Sequence, residues 1–306
     1  MSEMLEKLEN IYKAAATDFK ISGNLTDQQT EAWFTHVFEK GQFLSKVSRR
    51  LRSVLSGNTG FIAGSDEGFI EGTEGTEPAD QTVHAQTFSQ YLLRKLMLPA
   101  FVGYSVIDDN PEHGLLDKIN DVNDQTAANS LQNLCINGIS DAGGTFFNLM
   151  KGWIQLAKES VTIKKVSLVA NDPRYDDLDA LVEEMMLELP QENRGENVRF
   201  VCSDNERRTR NARLVQNSNA GAEAIAIAAM TEEMKWTIGG VKVECPHKWP
   251  DGFFFLGDPE NLEVDIHRTV RRTIEENPRK GGFDYTYRLQ ADCEIIHHEE
   301  ACVAYE

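Results

Sequence analysis

The sequence predicts an α+β fold built around an elongated sheet, and three observations support this prediction. Every odd position from Phe283 to Ile295 is apolar and every even position is polar, which is typical of a strand with one face in a core and one in water. At about 3.3 Å per residue this strand would be about 40 Å long. A helix predicted over residues 111–137 would also be about 40 Å long. Between these two elements, mixed strand and helix patterns predict an inserted α/β module.

The long helix has a clear beginning and end in the sequence. Asn110 can cap it, Pro111 occupies its first position and Gly138 follows its last turn. Because its length matches that of the long strand, we expect it to lie along the apolar face of that strand. The residues expected on that face are Tyr285, Tyr287, Leu289 and Cys293. A register slip of one residue would bury Arg288 and Asp292 instead.

Composition narrows the classes of protein that fit. The chain has 306 residues and a formal net charge of −18, which argues against a protein whose main role is to grip nucleic acid through its phosphates. No run of about 18 apolar residues occurs, so no membrane span is expected, and the N-terminus lacks the pattern of a secretory signal. The five cysteines are odd in number and widely spaced. They therefore predict reduced thiols in a cytosolic protein rather than a disulfide framework.

Two amphipathic helices are predicted near the N-terminus. In residues 2–19 apolar side chains recur at helical intervals. A second helix is predicted over residues 27–40, with Thr26 as its N-cap and Gly41 just beyond its end. The residues alone indicate that both helices pack on the body of their own subunit.

Residues 53–93 differ from the rest of the chain in composition. Six glycines recur between Gly57 and Gly75, and the segment contains no lysine or arginine. Its acidic residues are Asp66, Glu67, Glu71, Glu74, Glu77 and Asp80. A segment with little apolar content and unbalanced charge cannot bury enough surface to order itself. Composition alone therefore predicts a flexible insertion.

Basic residues are dense at two places. The first cluster comprises Lys46, Arg49, Arg50 and Arg52, and the second comprises Arg207, Arg208, Arg210 and Arg213. Neither cluster is interleaved with aromatic residues, so sequence-specific reading of nucleic acid is not expected. Each cluster is interpreted either as a solvated helix face or as a partner for the acidic residues of segment 53–93.

The region between the long helix and the long strand supplies the elements of the α/β module. Strands are predicted at residues 161–166, 198–201, 241–243 and 253–256. One helix is predicted to begin at Pro173 and to end at Pro190. Ser203 with Glu206 three residues later forms a capping box that predicts the start of another helix. Small residues dominate positions 220–230.

Motifs for catalysis, phosphate binding and metal binding are absent from the sequence. The cluster richest in ligand-type residues comprises His297, His298, Glu299, Glu300 and Cys302. Because neighbouring side chains in a strand point to opposite faces, at most two or three of them could converge. We interpret them as solvated residues at a strand end, and Cys245-Pro246-His247 as a turn. The sequence therefore predicts no enzyme, no metal and no cofactor.

The end of the chain carries a specific resemblance. Residues 262–266 alternate as a strand, and the link that follows reads Arg271-Arg272-Thr273-Ile274-Glu275-Glu276-Asn277-Pro278. This link and the long strand after it resemble the C-terminal P-domain of tailed-bacteriophage major capsid proteins, in particular the gpN-type family of temperate myophages. The resemblance implies the capsid-protein fold that encapsulins share. It implies an N-terminal arm (1–45), an extended E-loop (46–107), a P-domain (108–168 and 261–306) and an inserted A-domain (169–260).

The resemblance also implies a function. The chain would be a structural subunit that self-assembles into pentamers and hexamers of an icosahedral capsid around double-stranded DNA. Its partners would be copies of itself, a separate scaffolding protein and a portal, with no membrane involved. Whether a decoration protein also binds is left open by the resemblance. Assembly would take place in the host cytoplasm and the product would be the virion capsid. The two basic clusters would then be candidates for weak contacts to packaged DNA or to the acidic loop of a neighbour.

Two other functions remain open at this point. One is an encapsulin-like nanocompartment shell of the same fold, and the other is an unrecognised enzyme. Some relatives lock their shells through a covalent bond from an E-loop lysine, but residues 53–93 contain no lysine. A cross-link of that kind is therefore not expected here. As candidates for contacts between subunits, the sequence offers Asp66, Glu67, Glu71, Glu74 and Glu77 on one side. On the other side it offers Arg49, Arg50, Arg52, Arg207, Arg208 and Arg210.

Overall fold

The computed structural model describes residues 23–24, 27–64, 84–109, 115–168, 177–217 and 236–305. Several expectations lie outside these residues. They are the helix in 2–19, the caps at Thr26, Asn110 and Pro111, the acidic residues from 66 to 80 and the small-residue stretch 220–230.

The described chain contains six α-helices and fourteen strands. The helices are α1 (Asp27–Lys40), α2 (Tyr104–Asp109), α3 (Leu115–Asn137), α4 (Trp153–Glu159), α5 (Leu178–Glu188) and α6 (Asp204–Asn217). The first strands are β1 (Gly23–Asn24), β2 (Ser48–Arg52), β3 (Ser56–Gly64), β4 (His84–Leu92), β5 (Arg94–Gly103), β6 (Lys164–Ser167) and β7 (Arg199–Val201). The remaining strands are β8 (Thr237–Ile238), β9 (Val241–Glu244), β10 (Phe253–Gly257), β11 (Leu262–His267), β12 (Arg271–Asn277), β13 (Gly282–Ile295) and β14 (Ala301–Tyr305).

One long strand organises the first sheet. Strand β13 has 14 residues. Its first half pairs antiparallel with both β5 and β12, and its last five residues pair antiparallel with β11. Strand β11 in turn pairs in parallel with β2, and the short β1 pairs with β12. The single continuous strand predicted over 283–295 is therefore confirmed.

The apolar face of β13 has the predicted register. Tyr285 is completely buried and Leu289 is nearly so. Arg288, which lies between Tyr287 and Leu289 in the strand, is exposed. The helix α3 covers this face, since its Ile119 packs against the cluster that contains Tyr285. Farther along, Cys135 of α3 lies in the same core as Cys293. The described part of the predicted long helix, Leu115–Asn137, is thus confirmed.

Helix α1 has the predicted bounds and lies beside α3. Its Trp33 indole N–H donates a hydrogen bond of 2.7 Å to Asp124 of α3, and its ring stacks on Tyr287 at 5.7 Å between centroids. Burial raises the pKa of Asp124, although the hydrogen bond from Trp33 opposes this. Helix α1 therefore fixes the position of α3 on the sheet.

The polar face of the same sheet differs from the prediction. Alternation predicts that the even positions of β13 and the polar positions of β11 face water, but Glu263, Asp265 and Glu294 are buried. The expectation of a solvated polar face is therefore wrong at this end of the sheet. The physical reason is that the segment from β2 to β4 packs over it and supplies an arginine to the acids.

A second sheet forms the inserted module, with the strand order β6-β14-β10-β7-β9-β8. Helix α5 buries Leu181, Val182 and Met185 in the core of this sheet. Strands β6 and β14 pair with each other in this sheet, although the predicted domain division places both segments in the elongated part.

Most predicted elements of the module are confirmed, and two bounds are wrong. The helix predicted to begin at Pro173 begins at Leu178, because the Asp177 side chain caps it and accepts hydrogen bonds from the backbone N–H groups of Asp179 and Ala180. Residues 161–163 do not belong to the strand that begins at Lys164, and Val161 is 98% exposed. The Ser160 hydroxyl holds these residues in a turn, because it accepts hydrogen bonds from the backbone N–H groups of Thr162 and Ile163. The capping box is confirmed, since the Ser203 hydroxyl accepts a hydrogen bond from the backbone N–H of Glu206.

The junction between α3 and α4 yields a stability prediction. Gly138 and Gly152 meet there, and the N–H of Gly152 donates a hydrogen bond of 2.9 Å to the Gly138 carbonyl. A Cβ at Gly138 would lie 2.8 Å from the backbone N of Gly152 and would clash with the carbonyl of Met150. Because backbone atoms cannot move aside cheaply, we expect Gly138→Ala to lower the free energy of unfolding by about 1–3 kcal/mol.

The control for this change is Gly195→Ala. A Cβ at Gly195 meets no atom within 4 Å, so thermal unfolding of this variant should match that of the wild-type protein. Equal melting temperatures for the two glycine variants would contradict the close packing at Gly138.

Candidate assembly site at the hairpin root

The segment between β2 and β5 is a hairpin, as the resemblance implies. Strands β3 and β4 pair antiparallel from Ser56↔Leu92 to Gly64↔His84 and form a sheet of their own. The N–H of Leu93 donates a hydrogen bond of 2.8 Å to the Leu55 carbonyl and closes the hairpin at its base. The acidic residues Asp66, Glu67, Glu71, Glu74 and Glu77 belong to the connection between the two strands, which lies outside the described residues.

Arg52, the last residue of β2, ties the hairpin to the first sheet. Its guanidinium donates two hydrogen bonds to the Asp265 carboxylate, from Nε at 2.5 Å and from Nη2 at 2.9 Å. The same Nη2 donates to the Thr59 hydroxyl of β3 at 2.5 Å. The guanidinium carbon also lies 4.1 Å from the ring centroid of Tyr91 in β4. One planar side chain therefore contacts β3, β4 and β11 at once, and we call this junction the hairpin root.

Three buried acids, Glu263, Asp265 and Glu294, lie within 4.0 Å of the Arg52 guanidinium. A fourth acid, Asp292, lies opposite Asp265, and we call these four acids the carboxylate cluster. Strands β11 and β13 place them in pairs, because Glu263 lies opposite Glu294 and Asp265 lies opposite Asp292. Like charges that lie directly opposite on a sheet destabilise it. The cluster is therefore stable only if arginines or protons offset part of its charge.

Arginines offset some of this charge. Besides Arg52, Arg50 places its Nε 3.1 Å from a carboxylate oxygen of Glu263. Asp292 accepts backbone hydrogen bonds instead, from Leu92 at 2.8 Å and from Cys293 at 3.0 Å. Since Leu92 is the last residue of β4, this bond is a second attachment of the hairpin to the sheet.

Protons can offset the remaining charge. Burial, followed by the negative charge of Asp265, raises the pKa of Glu263 and of Glu294 to about 7 in each case. Burial also raises the pKa of Asp292 to about 6. Within the described part of the chain, neither carboxylate oxygen of Glu294 has a hydrogen-bond partner. The hairpin root therefore binds protons near neutral pH.

Sequence reasoning missed the carboxylate cluster, although a signal for it exists. Arg50 and Arg52, Glu263 and Asp265, and Asp292 and Glu294 are each spaced by two residues, so each pair shares one face of a strand. Recognising the cluster from this spacing requires knowing that the three strands are neighbours.

The three arginines of the first basic cluster lie on strand β2, and Lys46 lies in the short 3-10 helix before it. The interpretation of this cluster as a solvated helix face is wrong, because β2 pairs with β11 through backbone hydrogen bonds. Arg52 is turned inward and its side chain is 12% exposed. Arg49 points to the other side of the strand and is exposed, with its guanidinium carbon 5.9 Å from the ring centroid of Phe38.

The second basic cluster lies on α6 and pairs largely with acids of its own chain. Arg207 is buried between Asp204, at 2.6 Å, and the ring of Trp236, whose centroid is 3.9 Å away. Arg210 donates two hydrogen bonds to Asp179. Arg208 also reaches Asp204, but its side chain is 75% exposed. Of these three arginines, Arg208 is the one most available to another molecule.

The ligand-type residues from His297 to Cys302 follow strand β13. Among the described residues, no group of three or more histidine, cysteine or acidic side chains is arranged to hold a metal ion. His298 instead lies 3.0 Å from the Ser160 hydroxyl through its Nδ1. In the part of the chain that the structure describes, no helix is both long enough and apolar enough to cross a bilayer.

The hairpin root yields a prediction about pH. Glu263 and Glu294 have ordinary pKa values near 4.5 and pKa values of about 7 in the fold, so the folded protein holds their protons more tightly than the unfolded chain does. Their contribution to stability is therefore complete below about pH 4.5 and is lost as the pH rises through 7. Glutamine cannot ionise, so Glu294→Gln should raise the melting temperature at pH 8 and change it little at pH 5.

The matched control is Glu275→Gln on the exposed side of β12. The difference in melting temperature between this variant and the wild-type protein should not depend on pH in this range. A Glu294→Gln variant that is less stable than the wild-type protein at pH 8 would show that ionised Glu294 strengthens the hairpin root.

Comparisons with known proteins agree with this architecture. The family model described as phage major capsid protein, P2 family, matches residues 1–305. Among curated proteins, no sequence matches significantly.

Solved structures show the same fold. The satellite phage P4 procapsid that includes the size determination (Sid) protein is similar with a TM-score of 0.70 and 15% sequence identity, over 90% of this chain and 98% of that chain. The capsid of an empty GTA particle has a TM-score of 0.56 and 14% identity, over 87% and 89% of the two chains.

The holo-SrpI encapsulin complex from Synechococcus elongatus shares the fold at a TM-score of 0.53 and 13% identity, over 86% of each chain. Fold alone does not separate an encapsulin from a viral capsid protein. The family model does separate them, because it spans the chain and describes phage capsid proteins. The chain therefore belongs to the P2 family of phage major capsid proteins, which are structural shell subunits and not enzymes.

Proposed function

We propose that the chain assembles into pentamers and hexamers of an icosahedral shell that encloses double-stranded DNA. The proposal extends the family assignment, which by itself means that copies of the chain associate into a capsid. The structural neighbours include a procapsid and the capsid of a native GTA particle, and this supports an assembly that proceeds through an intermediate shell. We further propose assembly in the host cytoplasm with a separate scaffolding protein and a portal, and with packaged DNA as a non-specific partner. A decoration protein would be an addition to the same shell.

The division into arm (1–45), E-loop (46–107), P-domain (108–168 and 261–306) and A-domain (169–260) is part of the proposal. The two sheets support a separate A-domain, because one contains the long strand β13 and the other contains all four strands described within 169–260. That second sheet also includes β6 and β14 from the P-domain segments.

The assembly proposal rests mainly on the hairpin, which is anchored to the subunit at the hairpin root. Strands β3 and β4 form a sheet with no third strand in the described part of the chain, and an isolated two-stranded hairpin is at best marginally stable in water. Arg52 and Asp292 hold its base firmly to the subunit. A hairpin anchored at its base is suited to gain the rest of its stability on a neighbouring copy. Its connection carries six acids that offer charge for this contact: Asp66, Glu67, Glu71, Glu74, Glu77 and Asp80.

The arginines that receive these acids should be those that protrude from their own subunit. Arg50, Arg52, Arg207 and Arg210 each contact an acid of the same chain and are less exposed than the other two candidates. Arg49 is exposed, and Arg208 contacts Asp204 but is still 75% exposed. We therefore propose Arg49 or Arg208 of a neighbouring copy as the main partner of the acidic connection. Each exposed pair contributes only about 0–1 kcal/mol, but the contact is repeated at every copy in the shell.

The test combines charge reversal with charge exchange. Changing Glu71, Glu74 and Glu77 to lysine should lower the yield of shells at low salt. The defect should diminish as salt rises, because screening acts over about 8–10 Å at moderate ionic strength. Arg49→Glu or Arg208→Glu is then added to the triple variant. The substitution at the arginine that makes the contact should restore assembly, and the other should not. The measurement is particle yield by sedimentation and electron microscopy after expression with the scaffolding protein.

A matched control reverses three other acids, Glu192, Glu196 and Glu299, which are exposed on the subunit surface. This variant changes net charge by the same amount and should assemble normally. Normal assembly of the Glu71, Glu74 and Glu77 variant at low salt would contradict the docking proposal. The absence of closed shells with five-fold and six-fold capsomers from the wild-type protein would contradict the assembly proposal itself.

A further inference from the structure

Two cysteines lie side by side in the inserted module. Cys202 follows the last residue of β7 and Cys245 follows the last residue of β9. These strands are parallel neighbours whose final Cα pair is Val201↔Glu244, and the N–H of Cys202 donates to the Glu244 carbonyl at 3.1 Å. Neighbouring strands are about 4.8 Å apart. That separation is within the range of Cα distances, about 4.4–6.8 Å, that a disulfide can span.

The two sulfur atoms already face each other. Cys202 Sγ and Cys245 Sγ are 4.0 Å apart, and one thiol donates a hydrogen bond to the other. Both cysteines are reduced in this structure. Closing the remaining gap to a covalent bond of about 2.05 Å requires only a local adjustment of the two side chains.

The two thiols differ in accessibility. Cys202 is completely buried, whereas Cys245 is half-buried. Cys245 lies in the wall of a cavity of about 450 Å³, which Arg207, His247 and Trp249 also line. An oxidant in the cavity would therefore reach Cys245 first, with Cys202 directly behind it. Redox-active cysteines often have this arrangement of an accessible thiol next to a resolving thiol.

The surroundings favour Cys245 as the nucleophile. The hydrogen bond from Cys202 and the positive charge of Arg207 lower the pKa of Cys245, whereas the same hydrogen bond and burial raise the pKa of Cys202. Asp204 and the ring of Trp236 hold the Arg207 guanidinium in place. The thiolate is the reactive form of a cysteine, so the first attack would come from Cys245.

We propose that Cys202 and Cys245 are a modification site, at which a low-molecular-weight disulfide such as oxidised glutathione converts the two thiols into a structural disulfide. The Cys245 thiolate attacks one sulfur of the oxidant, forms a mixed disulfide and releases one glutathione thiolate. Cys202 then loses its proton and attacks Cys245 Sγ, and this step releases the second glutathione thiolate. The two cysteine protons pass to the two released thiolates. Two protein thiols are oxidised and one oxidised glutathione is reduced to two molecules of glutathione.

The compartments in which a capsid exists fit this reaction. A protein made in a reducing cytosol keeps its thiols, whereas a particle outside the cell meets oxidising conditions. The new bond would tie the segment before α6 to the turn after β9, two places 43 positions apart in the sequence. A cross-link of this kind restricts the unfolded chain. The module would therefore gain stability after release without hindering assembly.

The test treats assembled wild-type particles with oxidised glutathione and maps their peptides without reduction. The expected result is a linked pair of peptides that contain Cys202 and Cys245, together with a melting temperature several degrees higher than after treatment with dithiothreitol. The variant Cys202→Ser should stop at a mixed disulfide of Cys245 with glutathione. The variant Cys245→Ser should lose both the linkage and the shift in melting temperature.

The control is Cys293→Ser in the long strand. Cys293 and its neighbour Cys135 are both buried in the core of the first sheet, so this variant should still form the Cys202–Cys245 linkage. If wild-type particles yield no linked peptides, or if Cys245→Ser shows the same shift in melting temperature as wild-type particles, the proposal is wrong.

Discussion

The register of β13 is the constraint on which the rest of the structure depends. Its apolar side chains fill the core beneath α1 and α3, and a slip of one residue would exchange Tyr285 for polar neighbours. Strands β5, β12 and β11 take their register from β13, and β2 takes its register from β11. The position of Arg52 opposite the carboxylate cluster is therefore set by packing on the other face of the sheet. Because of this coupling, the hairpin leaves the subunit in a defined direction.

The hairpin root shows how a buried charged junction can exist at all. Several ionised carboxylates in one buried place would repel each other and would each lose hydration, at a cost of several kcal/mol per ion. The raised pKa values of Glu263 and Glu294 allow these groups to hold protons near neutral pH. Asp265 can then accept the paired hydrogen bonds of Arg52. A protein in which apolar residues replace such a cluster is often no less stable. The advantage of the cluster here is therefore geometric, because a planar guanidinium with two fixed donors sets the angle between the hairpin and the sheet.

The sequence predicted the parts of the fold that depend on one periodic segment. Helix α1 and strand β13 follow from local patterns, and Gly138 marks the end of α3 as expected. Alternation shows that two faces of a strand differ, but it does not show that the polar face is wet. Glu263 and Asp265 satisfy the pattern of a solvated face and are nevertheless buried. Arg50 and Arg52 pair with residues more than 200 positions away in sequence, and no local pattern records such a neighbour.

For the candidate site too, the sequence predicted the local features but not the contacts between distant residues. Sequence composition identified the acidic segment and the two basic clusters, because both signals are local. It could not distinguish Arg208, which is exposed, from Arg207, which Trp236 and Asp204 enclose. That distinction depends on how α6 packs and on the position of Trp236. A count of charges in the sequence carries no information about either.

The acidity of the chain bears on how its shell can form. Each copy has a formal net charge of −18, so bringing copies together costs electrostatic free energy over a range of about 8–10 Å at moderate ionic strength. Apolar burial must offset most of this cost, because individual exposed ion pairs contribute little. In the proposed shell, the acidic connection of the hairpin would act mainly on specificity, because it would favour a neighbour that presents an arginine and disfavour the acidic surface elsewhere. Contacts that are individually weak also allow a misplaced subunit to dissociate before its neighbours enclose it, and a closed shell with few errors requires this reversibility.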